Sequence, residues 1–231
     1  MSANTELLER MAEALGDLRE QLVFVGGCAT SLHITDPAAA EVRPTQDVDA
    51  VVAITTLQEY HRLGDALRTR GFNQTLAEGE PPYRWSLAGM NLDVMPAEES
   101  VLGFSNRWYD ETLRTAVSVR LPGGISIRLV TAACFLATKL EAFESRGRGD
   151  YLESHDLEDV LSVVDGRREI VGEIADAHPE VRGYVAAVFD RLLSDEGFSN
   201  ALPGLVTDGS PATRVPIVID RLRAIIAKAR E

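Results

Sequence analysis

Phe24-Val25-Gly26-Gly27 and, after a gap, Arg43-Pro44-Thr45-Gln46-Asp47-Val48-Asp49 are the stretches on which the fold of this chain turns. In the first, an apolar run stops at paired glycines. In the second, two aspartates one residue apart open a run of β-branched residues. Residues 21–25 therefore read as a buried strand, the glycines as its break, and 28–32 as the start of a short helix. Residues 48–54 read as a second strand. Backbone without a Cβ can come close to an anion, and amides at a helix start point toward it. On a strand, Asp47 and Asp49 project from one face, about 6.5–7 Å apart along the chain, while Val48 faces the other side.

Two carboxylates held that close need a cation between them. A hard divalent ion, Mg2+ or Mn2+, is the expected occupant, because it takes oxygen ligands and usually only one or two protein carboxylates plus substrate phosphates. Asp93 sits in Asn91-Leu92-Asp93-Val94-Met95, inside an otherwise apolar strand where a lone carboxylate is expensive to bury. If that strand lies beside the first pair, Asp47, Asp49 and Asp93 can hold two metal ions, the arrangement that clamps both oxygens of an in-line phosphoryl displacement. A plain turn, a solvated strand edge and a satisfied hairpin aspartate are the alternatives for each piece taken singly.

Around this centre the expected elements fall in order. Residues 5–18 form an amphipathic helix, with Thr5 able to cap it. Residues 34–46, with two prolines and an alanine run, form a loop or insertion. Residues 57–70 form a helix ended by Gly71. Residues 83–87 and 91–95 flank Ala88-Gly89-Met90 as a hairpin, and 115–120 and 125–129 flank Pro122-Gly123-Gly124 as another. Helices follow at 131–145, 154–164, 168–176, 179–193 and 212–229, with Arg146-Gly147-Arg148-Gly149 as a loop. Strands early and helices late give an α+β chain: a small mixed β-sheet core over 1–129, then an all-helical part over 130–231.

At 231 residues the chain can bury a sizeable core. No apolar run reaches membrane-span length and no signal peptide is visible, so no membrane partner and a cytoplasmic location are expected. Cys28 and Cys134 form no CxxC pattern, which agrees with a reducing compartment. A formal net charge of −13 argues against a globally basic nucleic-acid binder. Residues 105–148 nevertheless carry a net +3, from Arg107, Arg114, Arg120, Arg128, Lys139, Arg146 and Arg148 against four acids, so a local basic face is possible. His33, His61, His155 and His178 show no ligand spacing and read as surface or packing residues.

Val25-Gly26-Gly27, Asp47-Val48-Asp49-Ala50 and Leu92-Asp93-Val94 resemble the three motifs of the polymerase-β-like nucleotidyltransferase superfamily. Within it the chain is most similar to the AbiEii/MenT-type toxin nucleotidyltransferases, through Arg43-x-Thr45-x-Asp47-Val48-Asp49, Ala137-Thr138-Lys139-Leu140-Glu141-Ala142-Phe143, Arg146-Gly147-Arg148 and Ser154-His155-Asp156-Leu157-Glu158-Asp159. The resemblance spans about residues 23–164. It implies transfer of a nucleoside monophosphate from an NTP to an acceptor, with pyrophosphate released. It implies catalytic roles for Asp47, Asp49, Asp93, Lys139 and Asp156, and nucleotide binding by Gly26, Gly27, Ser31, Arg43 and Lys139. It further implies a toxin of a toxin–antitoxin system, acting on a tRNA 3′ end or a protein side chain, with a cognate antitoxin as partner.

The rival readings are an aminoglycoside-type antibiotic nucleotidyltransferase, which an acidic surface would suit, and a degenerate nucleotide-binding or antitoxin-like protein. Lys139 could also simply snorkel from an apolar helix face, and Asp156 could serve the dipole of a first helical turn. Cys28 stands where a small hydroxyl residue is usual, which leaves Thr30 or Ser31 to replace it. The 36–40 stretch reads as an insertion near the cleft mouth.

Overall fold

Apolar stripes and glycine breaks set the first half of the chain. Helix α1 (Ala3–Leu15) buries Leu8, Met11, Ala12 and Leu15. Its cap is Ser2, whose Oγ accepts from the Thr5 amide at 3.2 Å, so Thr5 lies inside the helix rather than capping it. The helix stops at Leu15, short of residue 18, because Gly16 turns the backbone to φ +57. A 3-10 turn, Gly16–Gln21, then leads into strand β1 (Leu22–Val25).

The computed structural model describes residues 2–74, 81–146, 150–206 and 211–231. It divides into two compact units, Met1–Ser31 with Pro44–Thr131 and Leu32–Arg43 with Ala132–Glu231. The architecture is α+β: one six-stranded mixed sheet, and an all-helical set of elements from residue 132 onward.

In the first unit, β1 runs into α2 (Gly26–His33), whose last two residues belong to the second unit. Strand β2 (Asp47–Val52) and helix α3 (Leu57–Thr69) follow. Helix α3 opens with a capping box: Thr56 Oγ1 accepts from the Glu59 amide and the Glu59 carboxylate accepts from the Thr56 amide. Strands β3 (Arg84–Leu87) and β4 (Met90–Pro96) form the first hairpin, and β5 (Val117–Arg120) and β6 (Ser126–Leu129) the second. Between the hairpins lie two short helices that periodicity did not reveal, α4 (Glu99–Leu102) and α5 (Tyr109–Thr115).

The sheet order is β3-β4-β2-β1-β6-β5. Both hairpins pair antiparallel, as does β1 with β2, whereas β2–β4 and β1–β6 are parallel. The register gives the two faces different chemistry. Phe24, Val48, Ala50, Leu92 and Val94 share one face and are fully buried. Trp85 lies on that face, and α3 covers it: the Tyr60 hydroxyl donates to the Val94 carbonyl at 3.0 Å, and a Cβ on Gly64 would lie 3.0 Å from the Trp85 ring. The opposite face carries Val23 and Val51 at one end and Asp47, Asp49 and Asp93 at the other.

In the second unit, α6 (Ala132–Arg146), α7 (His155–Gly166), α8 (Ile170–Ala175), α9 (Pro179–Ser194), α10 (Glu196–Leu205) and α11 (Pro211–Ala229) bury Phe135, Leu157, Ile170, Phe189, Phe198 and Leu222. Ser154 caps α7 through the Leu157 amide, as its sequence position suggests, and Asp195 caps α10, a helix not foreseen. The 36–40 stretch is tied to this unit: Asp36 accepts from Arg168 and Arg214 at 3.0 and 3.1 Å. Residues 147–149, read as a loop, lie outside the described residues.

His33 is a packing residue. Its ring stands 4.9 Å from the Phe135 ring, and its Nε2 has no hydrogen-bond partner among the described residues. Burial, with help from the Arg167 charge, pushes its pKa down from 6.5 to about 3. Between those two values the unfolded chain binds a proton that the folded chain refuses, so stability is lost as pH falls through that window. The wild-type melting temperature should drop between pH 6.5 and 3 more than that of His33→Leu; parallel declines would show that His33 does not titrate this way.

The first hairpin turns on two residues, Ala88 and Gly89, with Met90 already in the strand. Both turn residues have positive φ, +49 and +80, the requirement of a primed hairpin turn. For alanine that conformation costs about 1–2 kcal/mol. Ala88→Asn or Ala88→Gly should therefore raise the urea midpoint, by up to about 1 kcal/mol of stability. A lowered midpoint in both variants would contradict this turn.

Candidate active site

Strand β1 ends at Val25, opposite Asp49 in the register. Gly26 then bends the chain at φ +71 into α2. A Cβ placed on Gly26 would lie 1.9 Å from Asp49 Oδ2 and 2.5 Å from its carboxyl carbon. The anion that approaches this glycine is thus the chain's own carboxylate. Gly26 and Gly27 stand at the first turn of α2, where backbone amides have no intrahelical acceptor. Cys28 does not face that opening as a replacement hydroxyl would. It is fully buried, and its Sγ donates to the Val25 carbonyl at 3.4 Å. Thr30 Oγ1 and Ser31 Oγ are shielded from solvent and have no hydrogen-bond partner among the described residues.

The parallel register of β2 and β4 sets Asp49 beside Asp93 and Asp47 beside Asn91. Three carboxylates therefore gather on one sheet face. The cation between Asp47 and Asp93 is a guanidinium. Arg84 Nε donates to Asp93 Oδ1 at 2.8 Å, and Arg84 Nη2 donates to Asp93 Oδ2 at 2.8 Å and to Asp47 Oδ2 at 3.0 Å. Asn91 Nδ2 donates to Asp47 Oδ1 at 2.9 Å. Both oxygens of Asp47 and both of Asp93 thus accept charge-assisted or amide hydrogen bonds. The Asp93 side chain is only 7% exposed, against 30% for Arg84 and 35% for Asp47. A carboxylate that deep would be destabilising by about 3–5 kcal/mol without its partner.

Arg84 escaped the sequence reading, although a signal existed. A two-residue turn at Ala88-Gly89 pairs Leu87 with Met90 and, counting outward, Arg84 with Asp93. Reading Met90 as part of the turn shifts the register by one and sets Arg84 opposite Val94 instead. In a sheet such a slip moves a side chain to the other face.

The donor chemistry here fits a hard divalent cation: three carboxylates, hard oxygen ligands on adjacent strands, with Asp49 seated over bare glycine backbone. Arg84 holds Asp47 and Asp93, and among the described residues no three acidic, histidine or cysteine side chains are grouped at metal-binding distances.

In the second unit, Lys139 on α6 reaches Asp156 Oδ1 at 2.9 Å and Asp159 Oδ2 at 2.7 Å. Asp159, only 3% exposed in its side chain, is the stronger anchor by burial, and it carried no assigned role in the sequence. Arg146 pairs with the other oxygen of Asp156 at 3.0 Å, and Arg43 pairs with Glu158 at 3.3 Å. Within the basic stretch, Arg114, Lys139 and Arg146 have carboxylate partners among the described residues. Arg114 pairs with Glu111, Arg128 donates to the Leu113 carbonyl, and Arg107 stacks on Trp108. Arg148 lies outside the described residues.

No protein-family model matches the sequence, and no curated protein matches it. Among solved structures, an antigenic nucleotidyltransferase-like protein from Paracoccidioides brasiliensis is similar with a TM-score of 0.52 at 19% identity, over 90% of this chain and 95% of that one. JHP933 from Helicobacter pylori is similar at 0.48 and 12%, over 97% and 91%. The antibiotic-resistance factor ANT(2'')-Ia is similar at 0.46 and 14%, over 82% and 93%. The first of these likenesses shows a nucleotidyltransferase-like fold. No helix among the described residues is long and apolar enough to cross a membrane.

Gly26→Ala should be damaging for two separable reasons, backbone strain and collision with Asp49. Gly103 also has positive φ, but a Cβ there meets nothing within 4 Å. Gly103→Ala should therefore lose only the backbone term, about 1–2 kcal/mol. Gly26→Ala should lose clearly more in the same urea titration; equal losses would mean that Asp49 moves aside freely.

Proposed function

We propose that this chain is a nucleotidyltransferase that moves a nucleoside monophosphate from an NTP to an acceptor hydroxyl. The observation that supports this best is the gathering of Asp47, Asp49 and Asp93 on one sheet face beside the glycine start of α2. In the reaction the acceptor oxygen bonds to the α-phosphorus, the bond from that phosphorus to the α–β bridging oxygen breaks, and pyrophosphate leaves with the electron pair. The acceptor proton passes to a base. Mg2+ or Mn2+ held by Asp47, Asp49 and Asp93 would neutralise triphosphate charge and lower the pKa of the attacking hydroxyl.

The remaining work falls to the chain's own groups. Amides of Gly26 and Gly27 donate to phosphate oxygens. Asp49, set over Gly26, keeps its carboxylate at the mouth of that amide cluster. The resemblance adds Arg43, Lys139 and Asp156 as nucleotide-handling residues. Within the second unit, Arg43 pairs with Glu158 and Lys139 with Asp156, and on that resemblance each would exchange its carboxylate for a phosphate oxygen. It also adds the toxin role, with an RNA 3′ end or a protein side chain as acceptor and a cognate antitoxin as restraint.

The test is incubation of wild type and Asp49→Asn with each α-labelled NTP, in separate reactions with total RNA, with a protein extract and with aminoglycosides. Label should enter the RNA or protein arm, and Asp49→Asn should lower it on the order of 10²-fold or more. Label in the aminoglycoside arm alone would replace the toxin reading with antibiotic modification. No label in any arm would leave a nucleotide-binding protein without transfer activity. Induced expression should arrest growth with wild type and not with Asp49→Asn.

A further inference from the structure

We propose that Arg84 is a built-in counter-cation that competes with divalent metal for Asp47 and Asp93, and that this competition couples metal binding to triphosphate binding. The proposal rests on the assignment of the three aspartates to metal and triphosphate. Its observation is the seating of the Arg84 fork, which occupies both carboxylate oxygens of Asp93 and bridges to Asp47 Oδ2. Arg84 holds two of the three carboxylates, Asp47 and Asp93, with a single positive charge.

The geometry also says which partner releases first. Asp93 holds Arg84 with two oxygens and is buried, whereas Asp47 holds it with one and is a third exposed. Metal entry at Asp47 and Asp49 therefore breaks the single Asp47 bond first, and full occupancy also displaces the fork from Asp93. A guanidinium displaced from carboxylates needs another oxyanion. A triphosphate offers such oxygens in the same planar, two-point geometry. Metal alone must pay for expelling Arg84; metal with triphosphate gives the expelled guanidinium a new partner. Each ligand then tightens the other by the same factor, as linkage requires.

The experiment is Mn2+ binding followed by electron paramagnetic resonance, with and without an NTP analogue whose α–β bridge is methylene. Wild type is compared with Arg84→Met. Without analogue, Arg84→Met should bind Mn2+ tighter on the order of tenfold, and the gain that analogue gives in wild type should shrink. Equal or weaker Mn2+ binding by Arg84→Met would overturn the competition. Mn2+ binding to neither protein, with or without analogue, would overturn the aspartate-metal assignment itself and this inference with it.

Because Arg84→Met leaves Asp93 without its partner, melting temperature supplies a second readout. In chelator the variant should melt below wild type, and Mn2+ should restore it by more than it raises wild type. A deficit that Mn2+ leaves unchanged would make Arg84 purely structural. Arg84→Lys keeps the charge but loses the fork. It should fall between the two in Mn2+ affinity, and a value at or below wild type would count against displacement of the fork.

Discussion

Three carboxylates cannot share one face of adjacent strands without a cation, and in this protein a guanidinium meets that demand. The Arg84 fork on Asp93, with its third bond to Asp47, is the contact on which the candidate site depends. It is set by backbone, because Arg84 opposes Asp93 only if the β3–β4 hairpin turns on Ala88 and Gly89. A strained alanine at φ +49 is thus linked, through the hairpin register, to the electrostatics of the sheet. The deep position of Asp93 makes the link strict. A buried carboxylate tolerates no register that removes its partner.

The glycine at the end of β1 answers a second demand from the same face. Asp49 stands next to Asp93 across the parallel pair and opposite Val25 across the antiparallel one. Its carboxylate needs volume, and Gly26 yields that volume by having no Cβ. In sequence, Gly26 offers backbone that can come close to an anion. It clears space for a carboxylate, and the same bend starts α2, so the amides of the first turn and the acid cluster become neighbours within one unit. The opposite face, with Phe24, Val48, Ala50, Leu92 and Val94 buried under α3, keeps both devices in register.

Much of this was legible because period and punctuation carry it. Alternation at Asp47-Val48-Asp49 separated core from site, Ser154 announced α7, and Gly71 closed α3. The failures are equally local. Helices α4 and α5 are too short to show a stripe, and α10 contains Pro203 in its last turn. Thr5 looked like a cap because Ser2 lies so near the chain start. Arg84 was missed because its meaning is a pairing, and a pairing exists only after the turn length is known. Asp159 was hidden likewise: in sequence it is one acid among several in a helical turn, and its value lies in being buried against Lys139.

The same pairing recurs in each of the two units. Three cations among the described residues each have a carboxylate: Arg84 has Asp47 and Asp93, Arg43 has Glu158, and Lys139 has Asp156 and Asp159. At these positions a polyanion therefore meets cations that are already paired. On the proposed function, it would enter by exchange, with phosphate oxygens taking the place of carboxylate oxygens. Exchange preserves the number of ion pairs, so the gain per contact is a difference between two pairings rather than the whole of one. In a chain of net charge −13, released carboxylates would repel one another and the incoming phosphate unless a further cation arrives with it. On the proposed function, a triphosphate would be received better with a metal ion than without one, since the metal would supply the positive charge that the exchanged carboxylates leave unmet.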